Sequence, residues 1–144
     1  MDTLESEESK DNLLNAPRAT GELKVTRDGE EVSYPARSSD GSGSRASLAF
    51  GTGDGTPVLD GIVIAVDRNN LGNEITIPTP EGYTLITLFH DAKAYQVQSG
   101  TMIVYNDDEL GYHYYGQFSV TLAPGAPFSK LENATYSIKP FLTD

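Results

Sequence analysis

Hydrophobic and polar residues alternate most regularly between Gly100 and Leu122, and this segment predicts the central hairpin of the chain. Thr101–Tyr105 is β-branched or aromatic except at Met102, and residues 106–111 have the composition of a turn. One face of the strand that follows would carry Tyr112, Tyr114, Gly116, Phe118, Val120 and Leu122, and the other His113, Tyr115, Gln117, Ser119 and Thr121. A period of two with one apolar and one polar face is typical of a half-buried antiparallel strand.

The rest of the chain repeats this pattern in shorter segments. Asp28-Gly29 separates two alternating runs, and such a pair predicts a hairpin because a type I′ turn needs two positive φ angles. Pro35 is expected to end the second of these strands or to mark it as an edge. Residues 60–67 hold a continuous apolar run, and residues 82–90 carry apolar side chains on both faces, so we expect two strands that are covered on both faces.

Turn signals recur at intervals of roughly 8–12 residues, and no segment has the period of an amphipathic helix. About nine or ten short strands are therefore expected, in an antiparallel β-sandwich or, alternatively, a partly open β-barrel. Gly116, inside a long predicted strand, indicates a bulge or a tight bend. Residues 21–144 would form this single all-β domain, and residues 1–20, which are acidic and poor in core residues, a disordered tail or tether.

The chain is acidic, with 144 residues, a net charge of −11 and a pI of about 4.4. Nucleic acids and anionic membrane surfaces are bound mainly through lysine and arginine, so this charge argues against both kinds of partner. There is no cysteine, which excludes disulfides and thiolate sites. A run of about 18 apolar residues, which would predict a transmembrane helix, is also missing.

The N-terminal segment lacks the basic region and apolar stretch of an intact signal peptide. Its composition fits a tether that follows a removed signal sequence, which would place the domain in the periplasm, at the cell surface or in the medium. A solvated tail of a cytoplasmic protein is the alternative. The sequence leaves open whether Met1 is the native start.

Catalytic motifs are not recognisable in the chain. The two histidines, His90 and His113, do not belong to a nucleophile motif, and neither a Gly-x-Ser-x-Gly elbow nor a phosphate-binding loop occurs. We therefore assign no catalytic residue and expect a protein that is not an enzyme. A hydrolase that combines one histidine with acids from distant segments is the remaining enzymatic hypothesis.

The predicted turn of the central hairpin carries clustered oxygen ligands of the type that calcium prefers, namely Asn106, Asp107, Asp108 and Glu109. These residues do not follow the spacing of an EF-hand loop. A charged hairpin tip is therefore the simpler interpretation, with calcium as the alternative. No other cofactor is predicted.

The tyrosine-rich segment Tyr112–Tyr115 is the part of the chain that most suggests binding. An exposed tyrosine on a sheet face can stack on a sugar ring or anchor a protein partner, because it combines apolar area with a polar tip. Alternation places Tyr115 on the polar face with His113 and Gln117, so these three residues form the predicted ligand-binding patch. Strands also favour tyrosine for packing alone, which is the competing explanation.

Four short segments each contain a glycine of a predicted turn or strand: Arg27-Asp28-Gly29 near the start, Gly82–Leu85 in the middle, and Gly100–Ile103 and Gly116–Ser119 near the end. In these segments the chain resembles bacterial, mainly Bacteroidetes, secreted lipoproteins of unknown function. The resemblance covers about residues 21–122 and is carried by turn glycines and alternating apolar residues. It implies an extracytoplasmic β-sandwich and supplies no catalytic residue. The tryptophan often found after the first turn in that group is missing here, and the C-terminal end differs.

These observations favour a non-enzymatic, extracytoplasmic β-sandwich module that binds a glycan or a protein ligand at the cell surface. The alternative is a structural or assembly component of virion or fibre type, in which long sheet edges and a disordered arm would serve assembly. Pattern and composition do not determine the ligand, the strand order or the oligomeric state.

Overall fold

The computed structural model describes residues 19–40, 44–52, 60–80, 85–107 and 113–140. These residues contain nine strands and one 3-10 turn, Arg68–Asn70, and the prediction of an all-β chain is confirmed. The strands are β1 Ala19–Arg27, β2 Glu30–Asp40, β3 Arg45–Thr52, β4 Asp60–Asp67, β5 Ile75–Ile77, β6 Ile86–His90, β7 Lys93–Asp107, β8 His113–Leu122 and β9 Lys130–Pro140.

Eight of these strands close into an antiparallel β-barrel. The order around the ring is β1, β2, β3, β4, β6, β7, β8 and β9. Each strand pairs with the next, and β9 pairs back with β1. The short β5 lies outside the ring and pairs with β7. The predicted sandwich is therefore wrong, and the barrel alternative is observed, closed rather than partly open. Both architectures share the same strand period and turn signals, and only the pairing of the last strand with the first distinguishes them.

Inward-facing side chains from all eight strands pack inside the barrel. The alternation predicted for β8 is confirmed, because Tyr114 and Phe118 are buried whereas Tyr115, Gln117 and Ser119 are exposed. The largest fully buried side chains come from six further strands as well as β8: Leu23, Leu48, Phe50, Ile62, Ile64, Ile86, Leu88, Met102, Tyr114, Leu131 and Ile138. This packing makes the interior a hydrophobic core, and most polar residues of the strands are exposed or half-buried; Arg37 on β2 is a buried charged exception.

The predicted Asp28-Gly29 hairpin is confirmed, with φ angles of 49° and 86° at its two central residues. The Asp28 carboxylate accepts hydrogen bonds from the backbone N–H groups of Ser129 at 2.9 Å and Lys130 at 2.8 Å. These two donors, Ser129 first, hold the pKa of the exposed Asp28 carboxyl below its ordinary value because they favour the charged form. The β1–β2 turn is thereby joined to the segment between β8 and β9.

Gly116 makes room for an aromatic ring rather than for a bulge. It lies directly opposite Tyr136 on β9, and a Cβ atom built at Gly116 would lie 2.6 Å from the Tyr136 hydroxyl oxygen. The register shift of β8 against β9 falls between Phe118 and Val120 instead. Gly116 therefore allows the Tyr136 side chain to approach the β8 backbone closely. Such a close approach is, besides a bulge or a bend, a further reason for a glycine within a strand.

Two strands run further than predicted. β2 continues through Pro35 to Asp40. At Pro35 the pairing of β2 with β1 ends, and its pairing with β3 begins at the next residue, Ala36. The missing N–H of a proline is tolerated at such a position, as it is on an edge strand. β7 begins eight residues before the predicted strand Thr101–Tyr105, at Lys93, and its neighbour on one side changes from β6 to β5 along its length.

The two apolar strands are covered more fully on one face than on the other. In β4, Ile62 and Ile64 are buried but Val63 is only half-buried, and in β6 Leu88 is buried but Phe89 is half-buried. The expectation of two fully covered faces is therefore wrong for both. Of the predicted tail, residues 1–18 lie outside the described residues, whereas residues 19 and 20 already belong to β1. The described residues include no helix long and apolar enough to cross a membrane.

Candidate functional site

The candidate site lies on the outer face of β7, β8 and β9. In the β7–β8 pair, Tyr105 lies directly opposite Tyr115 and Ile103 opposite Gln117. On the other side of β8, Ser137 lies opposite Tyr115. Residues directly opposite in antiparallel strands point to the same face, so these five side chains form one continuous outward surface.

Two stacked tyrosines stand out on this surface. The rings of Tyr105 and Tyr115 have centroids 5.2 Å apart and planes 23° apart. They are the two large hydrophobic side chains that are exposed in the described part of the chain, by 39% and 38%. His113 also stacks on Tyr115, with centroids 5.3 Å apart. We call Tyr105, Tyr115 and His113 the aromatic shelf.

Ser137 fixes the orientation of the His113 ring. The Nε2 atom of His113 lies 2.8 Å from the Ser137 hydroxyl oxygen, whereas its Nδ1 atom is buried without a hydrogen-bond partner. A serine at this distance from an imidazole resembles a nucleophile and its base. In such pairs, however, the second ring nitrogen is oriented by an acid, and Nδ1 has no such partner here. The contact therefore supports a positioned ring more than a catalytic pair.

A polar groove of about 240 Å³ adjoins the aromatic shelf. Its lining combines hydroxyl, amide and aliphatic groups of the three strands with one carboxylate, and the outward-facing members are Glu74, Thr101, Ile103, Gln117, Ser119, Asn133 and Thr135. Convergent polar groups beside apolar surface are typical of small-ligand sites. This set of residues, which we call the polar groove, can donate and accept hydrogen bonds in several directions.

The segment before β5 brings Glu74 to the polar groove. The Gly72 N–H donates to the Val104 carbonyl at 2.7 Å, and Ile75 pairs with Met102, which places Glu74 at the level of Ile103. Glu74 is exposed, and it is the one charged residue among the described residues that line the groove. The ion pairs of the described residues involve other acids, so this carboxylate is available to a ligand.

A second cleft of about 250 Å³ continues the site along β8. Ser119 lines both the polar groove and this cleft. The hydroxyl oxygens of Ser99 and Thr121 lie 2.7 Å apart within it, and Lys130 and Glu132 lie on its β9 side. The polar face predicted for β8 therefore contributes residues to the aromatic shelf, the polar groove and the second cleft.

The second histidine, His90, lies at the end of the barrel opposite the aromatic shelf, because it pairs with the first residue of β7 whereas His113 pairs with the last. The Nδ1 atom of His90 is 3.4 Å from Asp60 Oδ1, and its Nε2 atom is 3.7 Å from Asp91 Oδ2. Phe128 packs edge-on against the imidazole with centroids 5.1 Å apart, and the Arg27 guanidinium lies 4.0 Å from the centroid of the same phenyl ring. His90 thus lies beside two carboxylates, one of them from a distant segment, as the enzymatic hypothesis requires, but none of the three residues lines either of the two clefts described above.

The predicted calcium ligands are only partly described. Asn106 and Asp107 are the last residues of β7, whereas Asp108 and Glu109 lie outside the described residues. Within the described residues no group of three or more histidine, aspartate or glutamate side chains is arranged to hold a metal ion. Asp107 lies opposite His113. Calcium binding at this tip remains a prediction.

The structure brings the three predicted site residues together on one strand face and adds three that the sequence analysis missed. Tyr105 could have been found from the hairpin register, because it follows the same alternation as Ile103. Glu74 and Ser137 come from segments whose position depends on the pairing of β5 and β9. In comparisons with known proteins, no family model, curated protein or solved structure matches this chain.

Proposed function

We infer that this protein is a carbohydrate-binding module without enzymatic activity, which holds a glycan on the outer face of β7, β8 and β9. The observation that carries this proposal is the exposed, stacked pair of Tyr105 and Tyr115 beside the polar groove. The stacked rings cover part of each other but leave Tyr105 and Tyr115 39% and 38% exposed, and this aromatic area can bury the C–H face of a sugar ring while neighbouring hydroxyl and amide groups bind its hydroxyls. Both kinds of group occur here on one surface.

The composition of the surface supports a glycan more than a protein ligand. Stable protein interfaces bury roughly 1,200–2,000 Å² in total, with an apolar and aromatic centre. Around the two tyrosines the outward residues are mostly polar, such as Gln117, Ser119 and Thr135. A narrow aromatic strip with a polar surround suits a small polar ligand with apolar ring faces.

An extracytoplasmic location forms part of the proposal. It is supported by the resemblance to secreted bacterial lipoproteins and by the acidic composition of residues 1–20, which fits a tether. Glycans of cell walls and surfaces would then be the accessible ligands. The absence of an acid partner on His113, and the position of His90 and its two carboxylates outside both described clefts, support binding over hydrolysis.

The alternative is a structural or assembly component. That hypothesis relied on long, unpaired sheet edges, and closure of the barrel leaves few of them among the described strands. Sedimentation over a range of protein concentrations tests it: a monomer at every concentration argues against assembly, whereas concentration-dependent growth would favour it over glycan binding.

Binding to a glycan array and calorimetry with the best neutral ligand test the proposed function. We expect Tyr115→Ala to weaken binding by about tenfold or more, and Tyr115→Phe, which keeps the ring, to bind nearly as the wild type does. Glu31→Ala, at an exposed position on β2, is the control for surface substitution. A wild type that binds no glycan, or a Tyr115→Ala variant that binds normally, would overturn the proposal.

A further inference from the structure

The outward row of β8 connects the three features of the site in one line. His113 and Tyr115 belong to the aromatic shelf, Gln117 to the polar groove, Ser119 to both clefts and Thr121 to the second cleft. At about 3.4 Å per residue, the row from His113 to Thr121 is about 27 Å long. This length exceeds that of a single sugar ring, so the surface suits an elongated ligand.

The groups along this row suit a ligand rich in hydroxyls. Beyond the aromatic shelf, the row offers the amide of Gln117, which can donate and accept, and the hydroxyl of Ser119, which accepts from the Asn133 N–H at 2.9 Å and keeps its own proton to donate. The hydroxyl of Thr121 shares a hydrogen bond with that of Ser99, and this pair presents its remaining lone pairs to the second cleft. The flanking strands add Thr101 and Thr135 on either side. A chain molecule that repeats hydroxyl groups at regular intervals can use such a row along its whole length.

Charge restricts which chains fit. Glu74 lines the polar groove and Glu132 the second cleft, whereas Lys130 is the one basic residue among the described residues that line either. The whole chain carries a net charge of −11. Like charges repel during approach and in the bound state, so a polyanionic glycan is disfavoured here.

We propose that the site binds a linear oligosaccharide without acidic groups, whose chain follows β8 from the aromatic shelf across the polar groove to the second cleft. This inference rests on the proposed function and adds to it the direction, the length and the charge class of the ligand. The aromatic shelf holds one part of the chain by stacking, and the two clefts hold its continuation by hydrogen bonds.

Chain-length dependence is the first test. The probes are neutral oligomers of β-1,4-linked glucose, α-1,4-linked glucose and N-acetylglucosamine, each from disaccharide to hexasaccharide, measured by calorimetry with the full chain. In the series that binds, we expect the affinity of the wild type to rise about tenfold or more with length. Gln117→Ala should lower the affinity for the hexasaccharide about three- to tenfold, which is the effect expected of one lost hydrogen bond. The affinity for the disaccharide should stay nearly unchanged.

The matched control is Gln96→Ala, which removes the same side chain from an exposed position of β7 outside the two clefts. This variant should bind every oligomer as the wild type does. If disaccharides bind through Tyr115 as tightly as hexasaccharides, the inference about length is wrong and the proposed function stands. If no oligomer and no array glycan binds, both are wrong.

Charge selectivity is the second test. An oligogalacturonate hexamer, an acidic chain, should bind the wild type at least about tenfold more weakly than the neutral hexamer that binds best. Glu74→Lys should narrow this difference by roughly two- to fivefold, the effect expected of an exposed charge pair, whereas Glu31→Lys on β2 should not. Equal or tighter binding of the acidic hexamer by the wild type would overturn the assigned charge class.

Discussion

The hydroxyl group of Tyr136 donates a hydrogen bond of 2.7 Å to the backbone carbonyl of Ile103, and its ring crosses Gly116 to reach it. This bond links β9 to β7 past the intervening β8. Burial raises the pKa of the Tyr136 hydroxyl well above its ordinary value, so it remains a donor throughout the usual pH range. Because Ile103 also lines the polar groove, the same contact supports the candidate site from inside the barrel.

Replacing Tyr136 by phenylalanine should destabilise the protein by about 1–3 kcal/mol, since the Ile103 carbonyl loses its side-chain donor in a part-buried position. Urea unfolding measures the change. Tyr114→Phe is the matched control, because the Tyr114 hydroxyl is buried without a hydrogen-bond partner. Its removal should leave stability unchanged or raise it. Equal losses in both variants would contradict the role assigned to the Tyr136 hydrogen bond.

Gly116→Ala should destabilise the barrel by about 1–3 kcal/mol, because the added methyl group would overlap the Ile103 carbonyl and crowd the Tyr136 hydroxyl. Thermal and urea unfolding give the size of the loss. In the double variant with Tyr136→Phe the losses should be less than additive, because the crowding of the Tyr136 hydroxyl disappears whereas the overlap with the Ile103 carbonyl remains. Additive losses would mean that the backbone clash alone accounts for the effect.

Asp28→Asn should remove part of the acid sensitivity of the fold. The folded-state pKa of Asp28 is held below its ordinary value of 3.8, so its stabilising effect is fully present above pH 3.8 and is lost as the pH falls through the lower folded value. Asparagine tolerates the positive φ of this turn, so the substitution tests the charge and not the backbone.

Melting temperatures between about pH 6 and pH 2.5 check this prediction. The wild type should be the more stable at neutral pH, and the two curves should converge in acid. Glu31→Gln, a neutralised exposed acid on the neighbouring strand, should follow the wild type. Carbon-detected NMR titration of Asp28 provides the direct measurement, and a midpoint at or above 3.8 would contradict the hydrogen-bonding argument.

The Ser137–His113 contact should not support hydrolysis, because the Nδ1 atom of His113 has no acid partner. Chromogenic esters and glycosides incubated with the purified protein are expected to give no turnover above the uncatalysed rate. Ser137→Ala should instead weaken glycan binding modestly, since His113 loses the group that orients its ring. Turnover in the wild type that both Ser137→Ala and His113→Ala abolish would establish a catalytic pair and replace the binding proposal.

Local pattern was sufficient for most single elements. The alternation of β8 predicted that Tyr114 would be buried and Tyr115 exposed, and the Asp28-Gly29 pair predicted its hairpin, because both depend on residues within a few positions of each other. Local pattern does not predict that Gly116 makes room for a ring, because its partner, Tyr136, is supplied by another strand. Nor does it predict that β2 continues through Pro35, because the exchange of neighbours at this residue depends on β3.

Residue pattern alone predicts the all-β class, the inner and outer faces of β8, and the placement of His113, Tyr115 and Gln117 on one face. Closure of the strands into a barrel, and the addition of Tyr105, Glu74 and Ser137 to those residues, follow from strand pairing in three dimensions. Closure depends on the pairing of β1 with β9, from opposite ends of the described chain, and the site depends on the positions of β5 and β9 beside the central hairpin. Side-chain period records which face of a strand is buried, but it carries no information about which distant strand lies next to it.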